Sequence, residues 1–219
     1  MKYIIILFAL FVAAPAAAQF PIRAHVVLVG GVDSLPREEL PTVWYEGREH
    51  LNRTGLSVKA TRLTQMYEIA PQLATLSSRK TQLYAWKKYA RKNKFHRGVD
   101  VVHIILPPIY EGGLNWFAGI ANGICQSGTE AISLSNAGYD TAGNLRLLAS
   151  SIGIAHEMAH VLGAGHTETN DLMNTRALEL VKTIYPLPVA ATTIKGIKKC
   201  QQKRKARRVQ RRAAKAANL

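Results

Sequence analysis

The sequence predicts a mixed α/β (α+β) fold, and three observations carry that expectation. Segments of strand character alternate with segments of helical spacing through the first half of the chain. The stretch 99–106 (VDVVHIIL) is apolar almost throughout and closed by Pro107-Pro108, as a strand buried on both faces would be. The glycine-rich stretch 110–136 then holds two short strand candidates ahead of one long apolar helix, which places a sheet edge with close backbone approach there. A chain of 219 residues can bury a core of ordinary size as one domain, without metal or disulfides merely to fold.

Residues 1–18 read as a secretory signal, with Lys2 first, an apolar run from Ile4 to Val12 and Ala16-Ala17-Ala18 as the cleavage site. The run is short for a bilayer, so no transmembrane anchor is expected and the mature chain, from about Gln19, would be secreted, periplasmic or extracellular. Residues 24–30 (AHVVLVG) form the first buried strand. Residues 36–52 follow as a helix, with Leu40, Val43, Trp44 and Leu51 at helical spacing. Alternation over 56–63 gives a half-exposed second strand, and 78–94 is an amphipathic helix with Leu83, Trp86 and Ala90 on one side. His103, inside the strand 99–106, reads as a hydrogen-bonded core histidine rather than a ligand. Strands at 115–121 and 130–134 come next. A helix over 145–162 is capped by Asp140, Thr141 or Asn144, and a last helix over 176–185 is broken by Pro186 and Pro188.

The net charge of +15 is concentrated at one end. Residues 195–219 hold eleven Lys or Arg and no acid, while the preceding 194 residues have 18 basic against 14 acidic groups, or +4. The domain reading is therefore a signal at 1–18, a globular domain at 19–194 and a basic tail at 195–219, disordered by self-repulsion, extended or weakly helical, until it meets something anionic. Nucleic acid, an anionic polysaccharide or a membrane surface would each suit it.

The chemistry lies in residues 156–166, HEMAHVLGAGH. On a helix, the four-residue step from His156 to His160 leaves the imidazoles about 40° apart on one face, one turn along the axis. A third nitrogen needs the chain to leave the helix, and Gly163 can adopt the left-handed conformation that ends it, so that His166 swings in. Three neutral imidazoles suit one catalytic Zn²⁺ with a fourth position for water, and Glu157 stands where a general base belongs.

This H-E-x-x-H-x-x-G-x-x-H pattern, followed by Asp171-Leu172-Met173-Asn174, resembles the metzincin metallopeptidases, whose methionine turn lies beneath the zinc. The resemblance runs in order of elements from about Ala24 to Met173, with close motif similarity over 112–174. Gly119 to Cys125 is similar to the adamalysin-like members, and the seven-residue step from His166 to Met173 to the matrix metallopeptidases. The chain also departs from the family: Thr167 follows the third histidine where adamalysins usually have Asp, and no Tyr follows Met173 at the spacing that supplies an extra zinc ligand in astacin-like members.

The resemblance implies a twisted mixed sheet with an antiparallel edge strand, an active-site helix and a small C-terminal subdomain. It also implies a secreted zinc endopeptidase acting on peptide or protein substrate. An extended peptide would lie along Asn115, Trp116, Phe117, Ala118 and Gly119, with Asn174 walling the pocket for the residue after the cut. Cys125 and Cys200 are the only cysteines and, in an exported chain, are expected to pair. The competing expectation is an exported binder of anionic polymers acting through the tail, with an inactive metal scaffold; an intact Glu157 speaks against it.

Overall fold

The computed structural model describes residues 21–30, 38–53, 57–66, 73, 78–107, 110–111, 115–116, 119–122, 131–137, 146–177 and 187–217. Four parallel strands form most of its main sheet: β1 (Ile22–Val29), β2 (Val58–Met66), β3 (Val101–Leu106) and β7 (Ile132–Asn136). Strand β6 (Gly119–Asn122) pairs antiparallel with β7, giving the order β2-β1-β3-β7-β6. The antiparallel edge strand expected of the fold is thus present. A separate two-stranded hairpin joins β4 (Tyr110–Glu111) to β5 (Asn115–Trp116).

Alternation along the central strands sorts side chains between two layers. Ala24, Val26 and Leu28 of β1 pack with Val43 and Trp44 of helix α1 (Leu40–Asn52) and with Ile154, Ala155 and Met158 of helix α3 (Arg146–Val161). Val27 and Val29 face the other way, into a second cluster with Trp86 and Ala90 of helix α2 (Arg79–Lys92). Every residue of β3 and β7 is buried because helices cover both faces, which is why 99–106 reads as a continuous apolar run. Strand β2 is the outer strand on the other side; it is half-exposed as predicted, but the alternation holds only through Ala60 and breaks at the register shift that follows, where Thr61, Arg62 and Leu63 are all exposed. His103 is fully buried, with Nδ1 2.6 Å from Ser133 Oγ, a core histidine as predicted.

Two expectations are corrected. The single strand predicted over 115–121 is divided: Asn115 and Trp116 belong to the hairpin, and the sheet edge is β6. Phe117 and Ala118 lie outside the described residues, as do the signal segment, Cys125 and the candidate caps 140–144. The helix predicted over 176–185 falls almost wholly outside them too.

The tail expected to be disordered is a helix, α4 (Ala191–Ala217). Its first turns are anchored, with Thr193, Ile197 and Cys200 buried, and Arg204 Nη2 lies 2.8 Å from Asp100 Oδ2. An anchored start removes the nucleation cost, and the alanines at 206, 213, 214, 216 and 217 favour propagation despite the charge.

Candidate metal centre

Helix α3 carries the first two candidate ligands, and a specific helix end delivers the third. Gly163 has φ of +97°, the left-handed conformation that glycine adopts without Cβ strain. Its N–H donates to the His160 carbonyl at 2.9 Å, and the Ala164 N–H reaches back to the Ala159 carbonyl at 3.0 Å. These are the paired bonds of a Schellman ending, and they aim the Ala164 carbonyl back at the helix. His160 Nδ1 lies 2.9 Å from that carbonyl oxygen. His156 Nδ1 lies 2.7 Å from the Leu172 carbonyl. A carbonyl only accepts, so in both rings Nδ1 carries the proton and Nε2 presents its lone pair.

The three Nε2 atoms converge. His160 Nε2 lies 3.0 Å from His156 Nε2 and 3.0 Å from His166 Nε2, and the remaining separation is 3.4 Å. Lone pairs brought this close repel one another unless a cation stands between them. Nitrogens about 2.0–2.1 Å from a tetrahedral zinc ion stand about 3.3–3.4 Å apart, so one edge matches and two are shorter by about 0.3 Å; the three donors close on one small cation, and their chemistry fits Zn²⁺. Burial favours the same state, pushing His156 down to about 4 and lowering His160 as well, so both rings are neutral near pH 7.

Glu157 follows the first ligand and is 5 % exposed. Gly119 of the edge strand lies against it: a Cβ there would stand 2.5 Å from Glu157 Cγ and 2.2 Å from the Leu134 carbonyl oxygen. Sequence reasoning placed Gly119 among substrate contacts; the structure makes it the neighbour of the candidate base. Asn115 and Trp116, in the hairpin, are not in that strand. Asn174 accepts from the Arg176 N–H at 2.8 Å and donates to the Thr169 carbonyl at 2.8 Å. It borders a cleft of about 630 Å³ that begins at His166 and includes Thr167, Asn170 and Thr175.

Met173 is fully buried, one residue after the carbonyl that holds His156. Asp171, to which the sequence reading gave no role of its own, is 2 % exposed and accepts from Thr167 Oγ1, Thr169 Oγ1 and the Met173 N–H at 2.6–2.7 Å. The available signal was two threonines and an acid at alternate positions (Thr167, Thr169, Asp171) beside the third ligand. At the far side of the same turn, the start of α4 meets Gly163. A Cβ on Gly196 would lie 3.3 Å from the Gly163 carbonyl oxygen, and one on Gly163 would lie 3.1 Å from Cys200 Cβ.

A family model described as metallo-peptidase family M12B, reprolysin-like, matches residues 43–167, more than half of the chain. Metalloproteinase-II from Bacteroides fragilis has a similar fold, with a TM-score of 0.60 at 17% identity over 85% of this chain. The chain spans 55% of that protein's length. Archaemetzincin from Methanopyrus kandleri is similar over 86% of this chain and 98% of its own, with a TM-score of 0.53 at 17% identity. At these identities the likeness concerns the fold. No curated protein matches the chain.

Proposed function

This chain belongs to the reprolysin-like metallopeptidases of family M12B, and on that premise we propose that it is a secreted zinc endopeptidase. The metallopeptidase family match, with a fold shared with known metallopeptidases, supports a zinc-dependent peptidase. The finer reading is that His156, His160 and His166 hold one catalytic zinc and that Glu157 is the general base. The observation that carries it is the convergence of three Nε2 atoms within 3.4 Å, those of His156 and His160 unprotonated, beside a buried carboxylate.

Zinc bound there supplies a Lewis acid for the scissile carbonyl and an acidified water. The chain's residues do the rest. The carbonyls of Leu172 and Ala164 fix the ring orientation of His156 and His160, and Glu157 takes a proton from the attacking water and returns it to the leaving amine. Low exposure removes competing water from the carboxylate. Among the described residues strand β6 is last in the sheet order, and an extended peptide would pair with its outer backbone, with the segment Asn115 to Ala118 preceding it in sequence. Asn174 walls the cleft beside His166.

Export rests on the sequence of residues 1–18; among the described residues no helix is long and apolar enough to cross a membrane. A Cys125–Cys200 disulfide belongs to the same reading. Cys200 is buried, and among the described residues no cysteine is a free thiol. Helix α4 adds an anionic partner, either nucleic acid, polysaccharide or a membrane surface, because it carries eleven Lys or Arg without an acid and the described side chains from 205 to 217 are exposed. Incubating the zinc-loaded protein with a diverse peptide library, beside Glu157→Gln, tests the catalytic reading. Internal cleavage by the wild type alone supports it, and equal cleavage by both refutes the base.

A further inference from the structure

We propose that Asp171 is the positioning residue of the metal centre, a buried carboxylate that binds no metal itself but presets two of the three ligands. The inference rests on the zinc-site reading above. The three imidazoles are not held alike. His156 and His160 each have Nδ1 at a backbone carbonyl, whereas His166 is exposed and among the described residues has no hydrogen-bond partner for Nδ1. The third ligand is therefore placed by its backbone, and that backbone is tied at the next residue.

Thr167 makes the tie twice. Its N–H donates to the Met173 carbonyl at 3.1 Å, and its hydroxyl donates to Asp171 Oδ1 at 2.7 Å. The same Oδ1 accepts the Met173 N–H at 2.7 Å, so one oxygen clamps the strand leaving His166 to the turn that follows. Thr169 Oγ1, at 2.6 Å, occupies Oδ2 and holds the carboxylate plane. The Asp171 carbonyl also accepts the Asn174 N–H at 3.1 Å, closing a turn whose second residue is Leu172, the residue that orients His156. One side chain thus governs the approach of His166 through Thr167 and, by holding the Met173 N–H, steadies the turn whose Leu172 carbonyl orients His156. The sequence is consistent with this division of labour, since position 167 is a hydroxyl donor and the acid that it needs stands four residues on. Charge-assisted bonds of this length are the strong kind, and a buried carboxylate with its acceptor sites filled has no reason to turn toward the metal.

The test compares the full-length wild type with Asp171→Asn, Thr167→Val and Thr167→Ser. Zinc affinity is measured by competition with a chromogenic chelator, alongside kcat and KM on a peptide. Asp171→Asn should weaken zinc binding by about 10–100-fold and lower kcat with little change in KM. Thr167→Val should weaken it by less, since one of the three bonds is lost, and Thr167→Ser, which keeps the hydroxyl, should restore the wild-type value. Folded Asp171→Asn with undiminished zinc affinity overturns the proposal, as does Thr167→Ser as defective as Thr167→Val. If Asp171→Asn fails to fold, the threonine pair decides alone. A wild type that binds no zinc overturns the metal-site reading and this inference with it, whereas variants that match a zinc-binding wild type overturn only the inference.

Discussion

Replacing Gly119 with alanine adds one methyl group where the structure has no room for it. The new Cβ would sit 2.2 Å from the Leu134 carbonyl oxygen, 2.5 Å from Glu157 Cγ and 3.0 Å from Glu157 Cδ. Leu134 is paired with Ile120 in the sheet, so its carbonyl cannot retreat without breaking the β6–β7 ladder. Ordinary contact requires about 1 Å of relief, which must come from β6 lifting off, Glu157 swinging aside, or both. Overpacking of this kind costs about 1–3 kcal/mol, or a Tm lowered by roughly 2–12 °C for a domain of this size. Displacing a catalytic group by about 1 Å costs on the order of 100-fold in rate. The ligands are untouched, so zinc content should stay stoichiometric while kcat/KM on a fluorogenic peptide falls about 100-fold. Gly119→Ala with wild-type kcat/KM and Tm would refute the idea that this glycine makes space for the base.

Glu157→Gln should retain zinc and lose at least about 100-fold in kcat, since general acid–base catalysis is worth about 10²–10⁴; equal metal content in both proteins is the control, and undiminished turnover sinks the mechanism. The metal-free protein should lose stability as pH falls below about 6.5. Burial holds His103 down to about 3 and His156 to about 4, so the unfolded chain takes up protons there that the folded chain does not. This contribution is fully present above 6.5 and levels off below about 3; urea unfolding that is flat between pH 7.5 and 4.5 contradicts it. Burial by itself would raise Asp100, but the Arg23 N–H and the Arg204 guanidinium hold it down to about 2. Arg204→Gln should therefore speed amide hydrogen exchange along α4 while leaving β1 protected, and unchanged exchange in α4 would show that the ion pair is not an anchor. If the eight Lys or Arg of 203–215 meet duplex phosphates, log K should fall with log salt with a slope no steeper than about −7, and salt-independent binding rules out that partner.

What the sequence made legible was what repeats locally. Continuous apolar runs located β1 and β3, a period of two located β2 and helical spacing located α1 and α2, and the spacing of His156, His160, Gly163 and His166 contained the metal centre because its geometry is built within eleven residues. Windows fail where the partner is distant. The charge of 195–219 predicts disorder, yet Gly163 and Asp100, far back in the chain, supply the contacts that make it a helix. An unbroken strand over 115–121 and a hairpin followed by an edge strand have the same local composition, so only the pairing with β7 separates them. Asp171 reads as an ordinary loop acid until Thr167 and Met173 are seen to share one of its oxygens.

The contact between Gly163 and the start of α4 joins two equilibria. The corner that releases the chain toward His166 is the same surface on which Gly196 and Cys200 rest. A polyanion that shifts α4 on that surface acts on the zinc site, and reciprocity requires zinc to change the polyanion's affinity by the same factor. If the basic helix meets such a partner, this contact would make it an input to the metal centre rather than a tether beside it. The coupling is set by how tightly two glycines touch, so adding a methyl group at position 196 would retune it without altering a ligand, a charge or the substrate edge.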